Sequence, residues 1–378
     1  MLRAGLVVVG ALVVAGAWAS ALHTLVVPRA GRSVFVSRLS RLMLGAFRLV
    51  AGRLHTYEAK DRVLSRYGPV FLLTMLVAWL AVLLGGFGLL VAGAGGLGAE
   101  AAFRRAGSSM FTLGFAGSEH VGLNVLDFAA ALTSPALIGL LVGYLPTLYG
   151  AFNRREMLVT MLDSRAGVPA WGPEILARAA LADTLDRLGH FYEDWERWAA
   201  DVAESHSSYR ALLFFRSPEP WRSWVTALLA VLDAAALHQA LCPTAAPVES
   251  RSCLRMGFLC FQDLAQAVGM PVNRDPLPSD PVELEFGQFL AAVERLEAAG
   301  LKLERSPDEA WRHFCGWRVN YEAAAYALAE RVMAPPAPWS GARRGLRGAV
   351  AGPQRPAHRS PDDPAGEHAR VKPVHDPG

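Results

Sequence analysis

The stretch FRRAGSSMFTLGFAGSEH, Phe103 to His120, lies between two long apolar runs, and its reading decides the fold. It is rich in glycine, serine and arginine and poor in apolar surface. A connector that only joins two apolar helices needs neither the glycines nor the threonine of TLGFAG, so the segment asks for a role of its own.

The surrounding composition sets the frame. The chain has 378 residues, 52% hydrophobic and 19% charged, with a net charge of +3. Soluble domains carry about a quarter charged residues. The apolar excess sits in the first part of the chain, which predicts a membrane part followed by a water-soluble part. Cys242, Cys253, Cys260 and Cys315 all fall in the latter, with no C-x-x-C pair, and read as buried reduced thiols. A zinc site joining them to His313 is the alternative, but their spacing matches no common pattern.

Three runs are long enough to cross a bilayer as helices: Ala4 to Val27, Pro69 to Val91, and Phe128 to Gly150, the last with Pro135 and Pro146 as bends. Between the first two lie Arg29, Arg32, Arg38, Arg41, Arg48, Arg53, Lys60, Arg62 and Arg66 against only Glu58 and Asp61, so this loop is expected in the cytoplasm. Arg154 and Arg155 after the third run agree. The expected topology puts the N-terminus outside, the basic loop inside, TLGFAG outside and the soluble domain inside, in a multi-pass protein of the cell membrane. A rival reading takes Ala17 to Ala19 as a signal-peptidase site; the continued apolar run and the arginines after it favour a retained helix. Within the basic loop, SVFVSRLSRLMLGAFRLVAGRL reads as an interfacial helix, arginines toward lipid phosphates and Phe35, Leu39, Leu42 and Phe47 toward the acyl boundary. A voltage sensor would need arginine at every third position, which is absent.

TLGFAG follows a segment, Gly98 to Phe111, that can form a short helix. An ion entering a membrane exchanges hydration water for protein oxygens, and rings of backbone carbonyls supply them without a countercharge. Turning successive carbonyls the same way needs ordinary and left-handed residues in alternation, which glycine tolerates best. Thr112, Leu113, Gly114 and Phe115 supply that pattern.

With these residues the sequence resembles the pore-loop ion channels, in particular the potassium-channel pore whose filter reads T-V-G-Y-G-D. The resemblance covers about Pro69 to Glu156. It implies four pore loops around one pathway, hence a homotetramer, and a permeant monovalent cation, potassium being the expected one. The pattern departs at the second filter glycine, which is met by Ala116, with Gly117 one place later and the acid displaced to Glu119 at the outer mouth. Gly139, Gly143 and Pro146 stand as gating candidates, with close helix packing as the plainer reading of the two glycines. Asp127 reads as a carboxylate suited to a helix start or an interface.

Beyond Glu156 the chain predicts an all-α domain. One helix opens at Gly172-Pro173-Glu174, with Leu181, Leu185, Leu188, Tyr192, Trp195, Ala199 and Val202 as a heptad seam, inside one domain or between subunits. Ser223 to Leu241 reads as a buried core helix because Asp233, His238 and Gln239 interrupt it. Further helices are expected over Ser252 to Val268, Pro281 to Ala299 and Pro307 to Met333, the last with a Ser306/Glu309 capping box. No catalytic or phosphate-cradling motif is present, so no enzyme and no cofactor is expected. The proline- and glycine-rich end reads as a disordered tail.

The fold class expected is thus an all-α membrane protein: a helix in 1–28, a basic loop in 29–68, a pore-like domain in 69–152, a cytoplasmic helical domain in 153–333 and a tail in 334–378. The function expected is a passive cation channel; the alternative is a membrane-anchored helical scaffold or sensor in which TLGFAG is only a turn.

Overall fold

The computed structural model describes residues 1–27, 33–117, 121–343 and Pro361. Among them every regular element is helical: α1 (Leu2–Leu25), α2 (Val34–Gly52), α3 (Tyr57–Leu64), α4 (Tyr67–Gly95), α5 (Ala99–Met110), α6 (Val121–Ala166), α7 (Gly172–Leu181), α8 (Leu188–Ser208), α9 (Trp224–Leu241), α10 (Glu249–Ala267), α11 (Phe286–Ala298), α12 (Pro307–Arg318) and α13 (Glu322–Val332). The chain divides into two compact units, Met1–Val50 with Arg66–Gly150, and Ala51–Ser65 with Ala151–Gly378.

In the first unit α1 and α4 pack antiparallel at backbone contact. A β-carbon at Gly86 would stand 2.8 Å from Val14 Cγ2, and one at Gly93 2.7 Å from Arg3 O. Glycine permits this approach, and close dispersion contacts replace the hydrophobic drive that lipid does not supply. Trp79, fully buried, donates its indole N–H to Ser20 Oγ at 3.1 Å. The outer surface stays apolar: Val8 and Leu12 on α1, Leu73 and Val77 on α4, and Phe128, Leu132 and Val142 on α6 are exposed. Such a surface suits lipid rather than water. The helices α1, α4 and α6 are long and apolar enough to cross a bilayer, and so is α9.

In the second unit α9 is the core. All its residues are buried, enclosed by α7, α8, α10, α12 and α13. Its asparagine-free apolar sequence therefore has protein on every side, and its polar Asp233 accepts hydrogen bonds from Tyr321 Oη at 2.8 Å and from Arg318. The end of α6 enters this unit through Arg155, which is fully buried. The guanidinium donates to Leu212 O at 2.9 Å, Phe215 O at 2.7 Å and Glu156 Oε1 at 2.9 Å, and Nη1 lies 3.1 Å from His206 Nε2. An arginine only donates, so His206 Nε2 must accept; its proton sits on Nδ1, 3.0 Å from Ser205 Oγ. Burial first, and the Arg155 charge second, hold the His206 pKa well below its ordinary value.

Several expected elements have different bounds. The third apolar run is not a separate helix of Phe128 to Gly150: α6 is a single helix of 46 residues that contains Pro135 and Pro146. The seam expected from Leu181 to Val202 is broken between α7 and α8, where Asp183 takes φ 53, a conformation aspartate tolerates better than most residues. Beyond the break, Leu188, Tyr192, Trp195, Ala199 and Val202 are all buried within the unit. Pro307 to Met333 is two helices, because Asn320 Nδ2 donates to Gly316 O at 3.0 Å and Trp317 O at 3.1 Å and closes α12. Ser306 Oγ caps α12, but Glu309 pairs with Arg305 at 3.3 Å rather than reaching back; the reciprocal box is formed by Glu285 and Gln288 on α11. The tail was expected from Ala334, yet residues 334–343 are packed: Trp339 is buried against Trp171 and Phe314, and its carbonyl accepts from Arg318. The remainder of the expected tail, apart from Pro361, lies outside the described residues.

Two measurements probe these contacts. Gly86→Ile forces a branched side chain into α1 and should cost about 1–3 kcal/mol or more; Gly85→Ile, where nothing lies within 4 Å, should leave the thermal midpoint in detergent nearly unchanged. Equal midpoints for the two variants would refute the close α1–α4 packing. An unfolded histidine takes a proton near pH 6.5 while the folded His206 does not, so the second unit loses stability as pH falls below about 6.5, by up to about 1.4 kcal/mol per pH unit. His206→Gln, which still offers Arg155 an oxygen, should flatten that slope between pH 7.5 and 5.5; an unchanged slope contradicts the assignment.

Candidate functional site

The segment between α5 and α6 is built within the first unit by helix geometry. Gly96, φ 63, ends α4 in the left-handed conformation, and α5 turns back along α4. Gly88 faces Phe103 Cα, 4.0 Å from where a β-carbon would stand, and Gly107 faces Leu84 Cδ1 at 3.7 Å. Leu84 lies roughly 16 Å of helical rise before Gly95. The chain then returns, because the side chain of Leu123, on the first turn of α6, comes within 3.1 Å of a β-carbon at Gly95. The segment 111–117 leaves α5 as a turn at Phe111 and Thr112 followed by irregular backbone.

Its backbone is asymmetric in hydrogen bonding. Leu113 N and Gly114 N donate to Ser108 O at 2.8 and 3.4 Å, and Ala116 N donates to Ser108 Oγ at 3.0 Å. The amides are thus turned onto α5. The carbonyls of Thr112, Leu113, Gly114, Phe115 and Ala116 accept no hydrogen bond among the described residues. Thr112 has φ 54 and Gly114 φ 70, flanking Leu113, so left-handed residues alternate here. For threonine that conformation costs about 1–2 kcal/mol. Neither Ala116 nor Gly117 has a positive φ, so the alternation stops at Gly114 and alanine carries no strain at its place. The side chains of Leu113 and Phe115 are 62% and 58% exposed, and the Arg104 guanidinium lies 5.9 Å from the centre of the Phe115 ring. The Thr112 hydroxyl donates to Phe111 O at 2.8 Å.

Behind the segment stands a clamp that sequence reading assigned only in half. Arg105, on α5, donates through Nε to Asp127 Oδ1 and Oδ2 at 3.1 Å and through Nη2 to Asp127 Oδ2 at 2.5 Å, with Asn124 Oδ1 at 3.4 Å. Ser109 Oγ adds a bond to Asp127 Oδ1 at 2.8 Å. The two charged side chains are 5% and 15% exposed. A forked guanidinium on a carboxylate fixes orientation as well as distance. Asp127 was expected at a helix start or interface, and it lies in the second turn of α6; Arg105 was given no role. A basic residue facing an acid across a turn of predicted helices was the signal available in the sequence.

The other expected site residues do not join this segment. Gly139 and Gly143 have open space where a β-carbon would stand, so neither supports close helix packing within this chain, and Pro146 is exposed on the same helix. Glu119 lies outside the described residues. In the second unit burial raises the thiol pKa of Cys242 and Cys315 to about 11 and pushes those of Cys253 and Cys260 higher still. Among the described residues no three of His, Cys, Asp and Glu are grouped to hold a metal.

Asp127→Asn leaves the shape of the side chain but removes the ion pair. Amide exchange at Leu113, Gly114 and Ala116 should quicken by tenfold or more relative to helix α9; unaltered exchange at those three amides would mean the clamp does not hold the segment. No family model, no curated protein and no solved structure matches this chain.

Proposed function

We propose that the chain is a subunit of a membrane pore that conducts monovalent cations, potassium first, with four copies placing the segment 112–117 around one pathway. The observation that carries this reading is the polarity of that backbone: the amides of Leu113, Gly114 and Ala116 are turned onto Ser108, while the carbonyls of Thr112 to Ala116 accept no hydrogen bond among the described residues. Oxygens left in that state replace hydration water around a cation at low cost. Irregular backbone at membrane depth is tolerated only where it is buried in protein or lines an aqueous path. The descent of α5 along α4 supports such a depth for the segment.

Chain connectivity supports the topology. The residues Ala51–Ser65, which precede α4, fold with 151–343 in one unit, tied by Arg216 to Asp61 and Tyr57 and by Trp221 Nε1 to Glu58 Oε1 at 3.0 Å. They therefore share one side of a membrane, so α4 and α6 cross in opposite directions and TLGFAG reaches toward the other side. The arginine excess before α4 favours the cytoplasm for the shared side. Gly139, Gly143 and Pro146 remain candidates for bending of α6 during gating.

Liposomes holding the purified protein test the proposal. Wild type should pass potassium or thallium, and Gly114→Ala, whose β-carbon meets nothing, should reduce flux at least tenfold through backbone conformation alone. Thr112→Gly relieves the left-handed threonine, so it should raise thermal stability by about 1 kcal/mol while degrading the selectivity for potassium over sodium. A monomeric or dimeric mass in detergent, or no flux with any cation, would leave the scaffold reading in its place.

A further inference from the structure

Helix α2 is not long and apolar enough to cross a bilayer, yet it is not built for water either. One face is pinned inside the first unit. Ser40 Oγ lies 2.9 Å from Tyr67 Oη, at the first turn of α4, and Phe47 stands edge-on to the Tyr67 ring at 5.4 Å between centroids, with Leu44 buried beside them. Just before α2, Ser33 Oγ lies 2.8 Å from Ser20 Oγ near the end of α1. The helix is therefore held where α1 ends and α4 begins, the boundary level of both. This corrects the face expected from sequence: Phe47 is turned inward, not toward lipid.

The opposite face carries Val34, Arg38, Arg41, Leu42 and Leu49, at the helical spacing that brings them together. Leu42 and Leu49 are 74% and 63% exposed. The helix contains no acidic residue, and neither Arg38 nor Arg41 has an acidic partner among the described residues; Arg41 Nε makes only a long bond to Ser37 O at 3.4 Å. Arginine heads beside exposed leucines match neither bulk water nor the hydrocarbon core. They match the headgroup layer, where the leucines enter the acyl boundary and the guanidinium groups meet phosphate.

We propose that this face of α2 is a binding surface for anionic phospholipid, with Arg38 and Arg41 holding the phosphate-bearing headgroups and Leu42 and Leu49 the first acyl methylenes. The surface selects anionic over zwitterionic lipid because it carries unbalanced positive charge. Each arginine near such a surface strengthens binding roughly fivefold. The inference rests on membrane placement alone and is independent of conduction.

The test is lipid retention by the purified full-length chain in detergent, followed by native mass spectrometry during titration with phosphatidylglycerol or phosphatidylcholine of the same acyl chains. Wild type should prefer phosphatidylglycerol by roughly 25-fold, from two arginines. Arg38→Gln with Arg41→Gln should abolish the preference, the double lysine variant should keep most of it, and circular dichroism should be the same for all three. Equal retention of both lipids by wild type, or an undiminished preference in the glutamine variant, overturns the proposal. So does full competition by glycerol phosphate, which would mark a site for small anions rather than a membrane surface.

Discussion

A backbone amide or carbonyl in apolar surroundings must find its partner within the protein, and the first unit is organised by that requirement. Helices α1, α4 and α6 meet it internally, which frees their side chains to be apolar on all sides and their glycines to bring two backbones into contact. The segment 111–117 is where the rule is met by halves. The amides of Leu113, Gly114 and Ala116 are paired to Ser108, while the carbonyls of Thr112 to Ala116 accept no hydrogen bond among the described residues. A buried ion pair between Arg105 and Asp127 stands behind it. Such a pair gains little net stability over an apolar substitute, but it fixes orientation and register. That is what a strained, partly unpaired backbone requires of its support.

The second unit solves a related difficulty at helix ends, whose last carbonyls have no partner in the helix. Arginines supply it. Arg155 takes Leu212 O and Phe215 O, and Arg216 takes Val332 O and Met333 O where α13 ends at a residue with φ 52. Arg305 takes Gln239 O and Ala240 O near the end of α9, and Arg318 takes Trp339 O. Each guanidinium also meets an acid or an aromatic face, so a group costly to bury becomes a junction of three or four segments. The same device draws α3, far away in sequence, into the unit through Asp61.

These arrangements bear on how a pore subunit would work. Helix α6 is continuous from Val121 to beyond the Arg155 junction. A displacement of the second unit's backbone at Leu212 and Phe215 would act on that helix directly, without an intervening loop. Left-handed residues stand at Thr112 and Gly114, and neither Ala116 nor Gly117 has a positive φ.

The amino-acid sequence by itself determined the helical class, the long apolar runs and the buried nature of α9, because hydropathy over a window and interrupting polar residues are local properties. It also located the short helix that precedes TLGFAG, since an interruption between two apolar runs is visible without coordinates. Tertiary structure decided the rest. The breaks at Asp183 and Asn320 depend on side-chain bonds to local backbone that compete with helix propagation, and periodicity does not register them. The roles of Arg105, Arg155 and Arg318 are not legible in the sequence because the carboxylates and carbonyls Asp127, Leu212 O and Asp233 lie far along the chain, and only folding brings them there. The packing of Trp339 shows the same limit: proline-rich composition argued for a tail, while the rings of Trp171 and Phe314 gave that one indole a surface to pack on.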